Sequence, residues 1–217
     1  MNELQLRLDL ITTGMELNAT GLNRGTSGNL SARCGEGFLV TPSGLACEEM
    51  EPADIVFMEF DGRGTGQRMP SSEWRFHRDI LASRPEIGAV VHTHSMFATT
   101  LACLGLDIPA FHYMIALAGG KDIHCAPYAT FGSPELSSQA LRALEGHRAC
   151  LLANHGMIAL GATLWDAAAL ALEVETLCEQ YARALQIGTP KLLSDAEMDV
   201  VLEKFKNYGG QAQERIH

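Results

Sequence analysis

His92-Thr93-His94 closes an apolar run, Ile87 to Val91, of strand length. Side chains at i and i+2 of a strand share a face, so this spacing suits two imidazoles to one metal ion. The same three residues also describe two surface histidines at a strand end. His155, in Asn154-His155-Gly156, follows a second short apolar run. The glycine after it permits backbone conformations that other residues resist, and alone His155 reads as a turn histidine. Together the three match the three protein ligands and open position of a catalytic zinc site. Glu73 follows two serines at a predicted helix start. It is either a carboxylate complementing the helix dipole or a metal ligand and general base, and spacing alone leaves both open. His77, His112, His124, His147 and His217 have no such context and are expected to be structural or surface groups.

Three small, hydroxyl-rich segments form a second constellation: Gly25-Thr26-Ser27-Gly28-Asn29, Ser43-Gly44 and Ser71-Ser72. Backbone N–H groups in such turns make an anion nest that suits one phosphate. They also read as three ordinary turns. Neither a P-loop nor a dinucleotide fingerprint occurs.

The elements that must position these groups follow from periodicity. Leu4, Leu8, Ile11, Met15 and Leu17 predict an amphipathic helix ending near Gly21. Phe38–Thr41 and Ile55–Phe60 predict strands, with a turn at Pro42-Ser43-Gly44. Asp61–Pro70 is expected to be a surface loop, and Ser71-Ser72-Glu73 a serine-capped helix start. Cys150–Ala153 and Met157–Leu160 predict a hairpin or sharp bend around His155. Ser133-Pro134-Glu135 starts another helix, Leu164–Leu185 is a long one, and Ser194–Glu197 is a capping box before Val200–Phe205. Strands with helices between them predict a layered α/β domain with a mixed sheet.

Composition narrows the function classes. The chain has 217 residues, and 16 basic against 26 acidic residues give a net charge of −10. Such a chain has no electrostatic footprint for nucleic acid or an anionic membrane. A mean hydropathy of +0.03 argues against disorder. No apolar stretch approaches a membrane span, and the first residues lack a signal-peptide pattern. Cys34, Cys47, Cys103, Cys125, Cys150 and Cys178 form no Cys-x-x-Cys pair and are expected to be free thiols in a reducing cytoplasm, not zinc ligands.

The segments GLNRGTSGNLS, TPSG, MPSSEWRFH, VVHTHS, PAFHYMIALAGG, APYATFGSPEL, NHGMIA and LEKFKNYG occur in that order and span nearly the whole chain. They resemble the class II aldolase/adducin family. The resemblance implies a three-layer α/β/α fold with a mixed, mostly antiparallel sheet. It implies one domain over 1–217, with a mobile tail from about residue 207, and a homotetramer with active sites shared between subunits. His92, His94 and His155 would bind zinc (cobalt or manganese are alternatives), with Glu73 as fourth ligand that swings away as acid/base. Gly28, Asn29, Ser43, Gly44, Ser71 and Ser72 would hold phosphate. Tyr113 would reach a neighbouring site and serve the aldehyde oxygen, while Phe131 and Tyr208 would shape the aldehyde pocket.

The implied activity is reversible cleavage of a ketose 1-phosphate to dihydroxyacetone phosphate and an aldehyde. L-Fuculose 1-phosphate and a 5-deoxy- or 5-(methylthio)ribulose 1-phosphate are the alternatives for the ketose. Related members epimerise at C4, dehydrate or decarboxylate, and Tyr113 with the C-terminal KFKNYG favours the aldolase. An adducin-like interaction module predicts a lost metal set, whereas all three histidines and Glu73 are present. The family usually has threonine where Ser43 stands, and His-Asn-His where this chain has His-Thr-His.

Overall fold

The structure, a computed structural model, describes residues 2–208. Its strands are β1 (Asn29–Cys34), β2 (Gly37–Val40), β3 (Val56–Glu59), β4 (Gly64–Thr65), β5 (Ala89–Thr93), β6 (Cys125–Ala126), β7 (Ala149–Leu152) and β8 (Gly156–Gly161). They form one sheet in the order β4-β3-β2-β1-β5-β8-β7-β6. Neighbours are antiparallel except β6 and β7, which run parallel. The helices are α1 (Glu3–Ala19), α2 (Trp74–Ser83), α3 (Met96–Cys103), α4 (Pro134–Ala143), α5 (Leu164–Ile187) and α6 (Asp195–Tyr208).

Strand residues alternate between two cores, as the period of two requires. Leu30, Leu39, Val91 and Ala159 join Leu10 of α1, Leu101 of α3 and Val174 of α5 on one face. Phe38, Val40, Val90 and Ile158 join Phe76 and Ile80 of α2 and Leu136 of α4 on the other. The expected three-layer α/β/α architecture with a mixed sheet is therefore present. His92 shares parity with Val90, so it points to the α2 side. The helix starts at Ser133-Pro134 and Ser194 form as expected: Ser133 Oγ accepts from the Leu136 amide, and Ser194 exchanges bonds with Glu197.

Several local expectations are corrected. Strand β1 lies in a stretch with no strand expectation, because its polar centre hides the pattern: Ser31 is fully buried, its hydroxyl bonded to His77. The Asp61–Pro70 loop contains β4, which pairs with β3. Helix α3 and the two-residue β6 are likewise unforeseen. The buried face of α1 is Leu10, Ile11, Thr13, Gly14 and Leu17, while Leu4, Leu8 and Met15 are exposed. Gly14 lies on that face, and a Cβ there would lie 2.5 Å from Cys47 Sγ, so the side chain of Cys47 packs directly on the helix. The cap of α2 is Glu73 rather than a serine, and its side chain makes no cap bond because it is engaged elsewhere.

Ile80 of α2 is fully buried in the apolar cluster between that helix and the sheet. Ile80→Ala should cost about 2–5 kcal/mol, the range for opening a cavity in a packed core. Urea unfolding should show a lower midpoint with an unchanged slope, and metal binding in buffer should persist.

Candidate functional site

Four elements converge on the α2 side of the sheet. His92 lies on β5, and His94 follows directly after its last residue. Their Nε2 atoms are 2.9 Å apart, so the shared face expected from the spacing is present. His155 sits in the turn between β7 and β8. The left-handed residue of that turn is Asn154, at φ 56°, not the glycine after His155. Gly156 is needed for close approach instead. A Cβ there would lie 2.3 Å from the Thr93 carbonyl oxygen, so glycine lets the turn close onto β5. The three imidazole rings stand 4.8–4.9 Å apart and 70–78° to one another, facing a common point.

Glu73 completes the group from the N-terminal cap of α2 and is 6% exposed. Its Oε2 lies 3.1 Å from His92 Nε2 and accepts from Asn29 Nδ2 at 3.0 Å. Its Oε1 lies 3.2 Å from His155 Nε2, yet is buried with no hydrogen-bond partner. The His92 Nδ1 donates to the Met157 carbonyl at 2.8 Å, which turns the Nε2 lone pair toward the carboxylate. Tetrahedral metal bonds of about 2.0–2.1 Å would set neighbouring ligand atoms roughly 3.3 Å apart. The observed 2.9–3.2 Å, three inward Nε2 atoms and an orphaned carboxylate oxygen fit a divalent cation held by these four residues.

The electrostatics agree. Burial pushes His94 and His155 down to about 4, reinforced by the neighbouring His92, so both rings are neutral ligands at physiological pH. Burial opposes the charged form of Glu73. A proton shared with His92 and, to a lesser degree, with His155, in the place a cation would take, outweighs it together with the Asn29 amide and holds the carboxyl well below the usual range.

Behind Glu73 runs a buried relay absent from the sequence expectations, which place His77 among merely structural groups. The amide NH₂ of Asn29 faces the carboxylate, so its Oδ1 accepts from His77 Nε2 at 2.6 Å. His77 Nδ1 then accepts from Ser31 Oγ at 2.7 Å. Burial keeps His77 neutral, down at about 3. The i, i+4 spacing from Glu73 on one helix is the signal that marks it in the sequence. Glu175 of α5 is a second addition. It accepts from Ser95 Oγ and the Phe97 and Ala98 amides, capping α3 immediately after His94. Nothing local in the sequence reveals that pair.

Gly28, Asn29, Ser43, Gly44, Ser71 and Ser72 all line one cleft of about 320 Å³, with Glu73, His94 and His155. The cleft thus joins the two constellations that the sequence presents apart. Gly28 and Gly44 are left-handed, at φ 79° and 70°. The Ser43 and Ser71 amides are committed to the Met69 and Thr41 carbonyls, and these bonds tie two of the turns together. Phe131 and Tyr128 stand exposed on the rim. Tyr113 is half-exposed, stacks on Phe205 and does not line this cleft. The Tyr208 side chain and the tail beyond lie outside the described residues. A larger hollow of about 650 Å³, between α1 and the start of α5, holds no comparable constellation.

His77→Phe should orphan the buried Ser31 hydroxyl and Asn29 carbonyl oxygen, at about 1–3 kcal/mol each. With Asn29 unanchored, metal affinity should fall roughly 10–100-fold, the usual consequence of losing a partner behind a ligand. Denaturant unfolding and chelator competition measure the two effects. Unchanged metal affinity would show that Asn29 holds Glu73 unaided.

Residues 8–182 match the family model described as Class II Aldolase and Adducin N-terminal domain. A 5-methylthioribulose-1-phosphate/5-deoxyribulose-1-phosphate aldolase of Rhodospirillum rubrum is 59% identical over 212 residues, 98% of this chain and 96% of that protein. The L-fuculose phosphate aldolase of Escherichia coli K12 is 46% identical over 215 residues, covering 99% and 100% of the two chains. A solved L-fuculose 1-phosphate aldolase superposes with a TM-score of 0.91 at 43% identity, covering 93% of this chain and 96% of the other. On likeness that spans the sheet, the helices and the whole cleft, the chain belongs to the class II aldolase and adducin family.

Proposed function

We propose that the protein is a divalent-metal-dependent aldolase that reversibly cleaves a ketose 1-phosphate to dihydroxyacetone phosphate and an aldehyde. The observation that carries this is the single cleft holding both the His₃–Glu group and the serine–glycine turns. The ketose proposed is a 5-deoxy- or 5-(methylthio)ribulose 1-phosphate, supported by the 59% identity to the Rhodospirillum rubrum aldolase. L-Fuculose 1-phosphate is the second reading, supported by the close match to the solved fuculose-phosphate enzyme.

His92, His94, His155 and Glu73 would hold the cation, and their imidazole-rich donor set favours zinc over cobalt or manganese. When bound, it supplies Lewis-acid stabilisation for charge developing at the C2 oxygen. The remaining work falls to the chain. The Ser43 and Ser72 hydroxyls, with the Gly28, Gly44 and Ser72 amides, hold the phosphate and orient the sugar by its non-reacting end. Asn29 and Ser71 also line this end; Asn29 keeps one Nδ2 proton to offer after bonding Glu73. In cleavage, the ionised Tyr113 of a neighbouring copy takes the C4 hydroxyl proton, and the C3–C4 bond breaks with its electron pair left on C3. Glu73, protonated from water once it leaves the histidines, delivers that proton to C3, and the proton held by Tyr113 returns to water.

A homotetramer with shared sites is supported by Tyr113, which stands away from its own cleft, and by the exposed Leu4, Leu8, Met96 and Trp165. Phe131 at the rim, with Tyr208 and the tail from about 207, is proposed to enclose the aldehyde. A cytoplasmic location is proposed, supported by the free cysteines and by the phosphorylated substrate proposed above. Among the described residues no helix is long and apolar enough to cross a membrane.

A panel of ketose 1-phosphates, assayed for dihydroxyacetone phosphate release, tests the function. The 5-deoxyribulose and 5-methylthioribulose esters should show the highest kcat/KM, chelator-stripped enzyme should be inactive, and zinc should restore it. Turnover by verified metal-free enzyme would reject the proposal.

Glu73→Gln should reduce turnover by about 10²–10⁴-fold, the usual worth of a positioned acid/base. Mixing it with inactive Tyr113→Phe in tetramers of confirmed composition should regenerate activity. No regeneration would place Tyr113 outside the neighbour's site.

A further inference from the structure

Away from the cleft, a second set of metal-capable side chains converges. Asp122 and His124 stand two apart on the extended segment that leads into β6, on either side of the fully buried Ile123. That spacing turns both to one face. His147 projects from the turn between α4 and β7. Asp122 Oδ1 lies 2.9 Å from His147 Nε2 and 3.2 Å from His124 Nε2. The two imidazole rings are 4.4 Å apart, and the three ligand atoms lie within 4.8 Å of one another.

The cluster repeats the plan of the first site. His147 Nδ1 donates to the Glu145 carbonyl at 2.8 Å, as His92 Nδ1 does to the Met157 carbonyl. A carbonyl only accepts, so His147 Nε2 turns its lone pair on the Asp122 oxygen, itself an acceptor. Two acceptors at this distance repel unless a proton or a cation sits between them. Gly120 leaves the space beside them open: a Cβ there would lie 2.2 Å from His147 Nε2. The basic side chains beside the cluster are committed elsewhere. Lys121 pairs with Asp199 of α6 at 2.8 Å, and Arg148 donates to the Leu117 carbonyl.

We propose that Asp122, His124 and His147 form a second metal site, a two-histidine, one-carboxylate set for zinc, cobalt or a similar borderline divalent ion. Imidazole and carboxylate donors suit these ions, and three protein ligands leave positions for water. Asp122 and His124 are 40% and 39% exposed, so solvent reaches those positions. The ion clips the segment entering the two-residue edge strand β6 to the turn that starts its parallel partner β7. None of the three ligands lines the catalytic cleft, so its role is to stabilise the sheet edge, not to take part in turnover.

Chelator-stripped full-length protein, titrated with cobalt(II) chloride alone and analysed after equilibrium dialysis, should bind two equivalents per chain. Asp122→Asn/His147→Gln should keep the first equivalent and full retro-aldol turnover. Its affinity for the second should fall by at least about 10–100-fold, the loss that even an outer partner causes. Zinc beyond one equivalent should raise the wild-type Tm and leave that of the double variant unmoved. In wild type, the His124 and His147 Nε2 resonances should shift as the second equivalent of zinc enters, a readout that needs no variant. A single equivalent in wild type, a second equivalent undiminished in the double variant, or ring resonances that stay still while it binds would each overturn the assignment.

Discussion

A carboxylate with almost no solvent exposure stands among three imidazoles, and the rest of the site depends on how Glu73 is kept there. A buried charge survives only with close partners. Its nearest are His92 Nε2, His155 Nε2 and the Asn29 amide, each on a different element. The sheet register makes this possible. Asn29 of β1 pairs directly with His92 of β5, and His92 pairs with Ile158 of β8, just past the turn that carries His155. Slipping either pairing by one residue would turn Asn29 or His92 to the opposite core. The centre of the sheet is thus also the frame of the site, and the relay through His77 to Ser31 extends that frame into the core behind it.

The sequence makes some of this legible and hides the rest for definite reasons. His92 and His94 are readable because strand parity is a local rule. Their Nε2 atoms do meet, at 2.9 Å. Glu73 is ambiguous because both of its descriptions hold: it is the cap residue of α2 and it faces inward to the histidines. Strand β1 is unreadable from patterning, since Ser31 occupies an inward position where an apolar residue is expected, and only its bond to His77 makes that tolerable. The buried face of α1 is misjudged because it includes Thr13 and Gly14, which no apolar stripe marks, while Leu4, Leu8 and Met15 of the stripe face solvent. Glu175 acts on α3 across 80 residues of chain at Ser95, a distance over which no sequence period carries information.

The proposed substrate is an anionic sugar phosphate, and the cleft proposed to take it belongs to a chain whose net charge is −10. Among the described residues that line it there is no lysine or arginine. Partial charges take their place: left-handed Gly28 and Gly44 shape their turns, and Ser72 lies just before the N-terminal end of α2, where the helix dipole is positive. Such dipoles are fixed by the backbone, so they lose no side-chain freedom when the anion arrives.

Dipoles also solve a problem that a basic side chain would create. A guanidinium in this cleft would offer Glu73 a bidentate partner, one of the strongest a carboxylate has. It would draw the carboxylate off His92 and His155 and fill the position of the orphaned Oε1. Backbone amides bind a phosphate without competing in this way, because their geometry is set by the turns that carry them. Ser72 and Glu73 are neighbours at the N-terminal end of α2, so in the proposed reading one helix end would serve the phosphate on one side while presenting the carboxylate to the histidines on the other. In the proposed mechanism Glu73 changes partners, and a lining without basic side chains among the described residues leaves it free to do so.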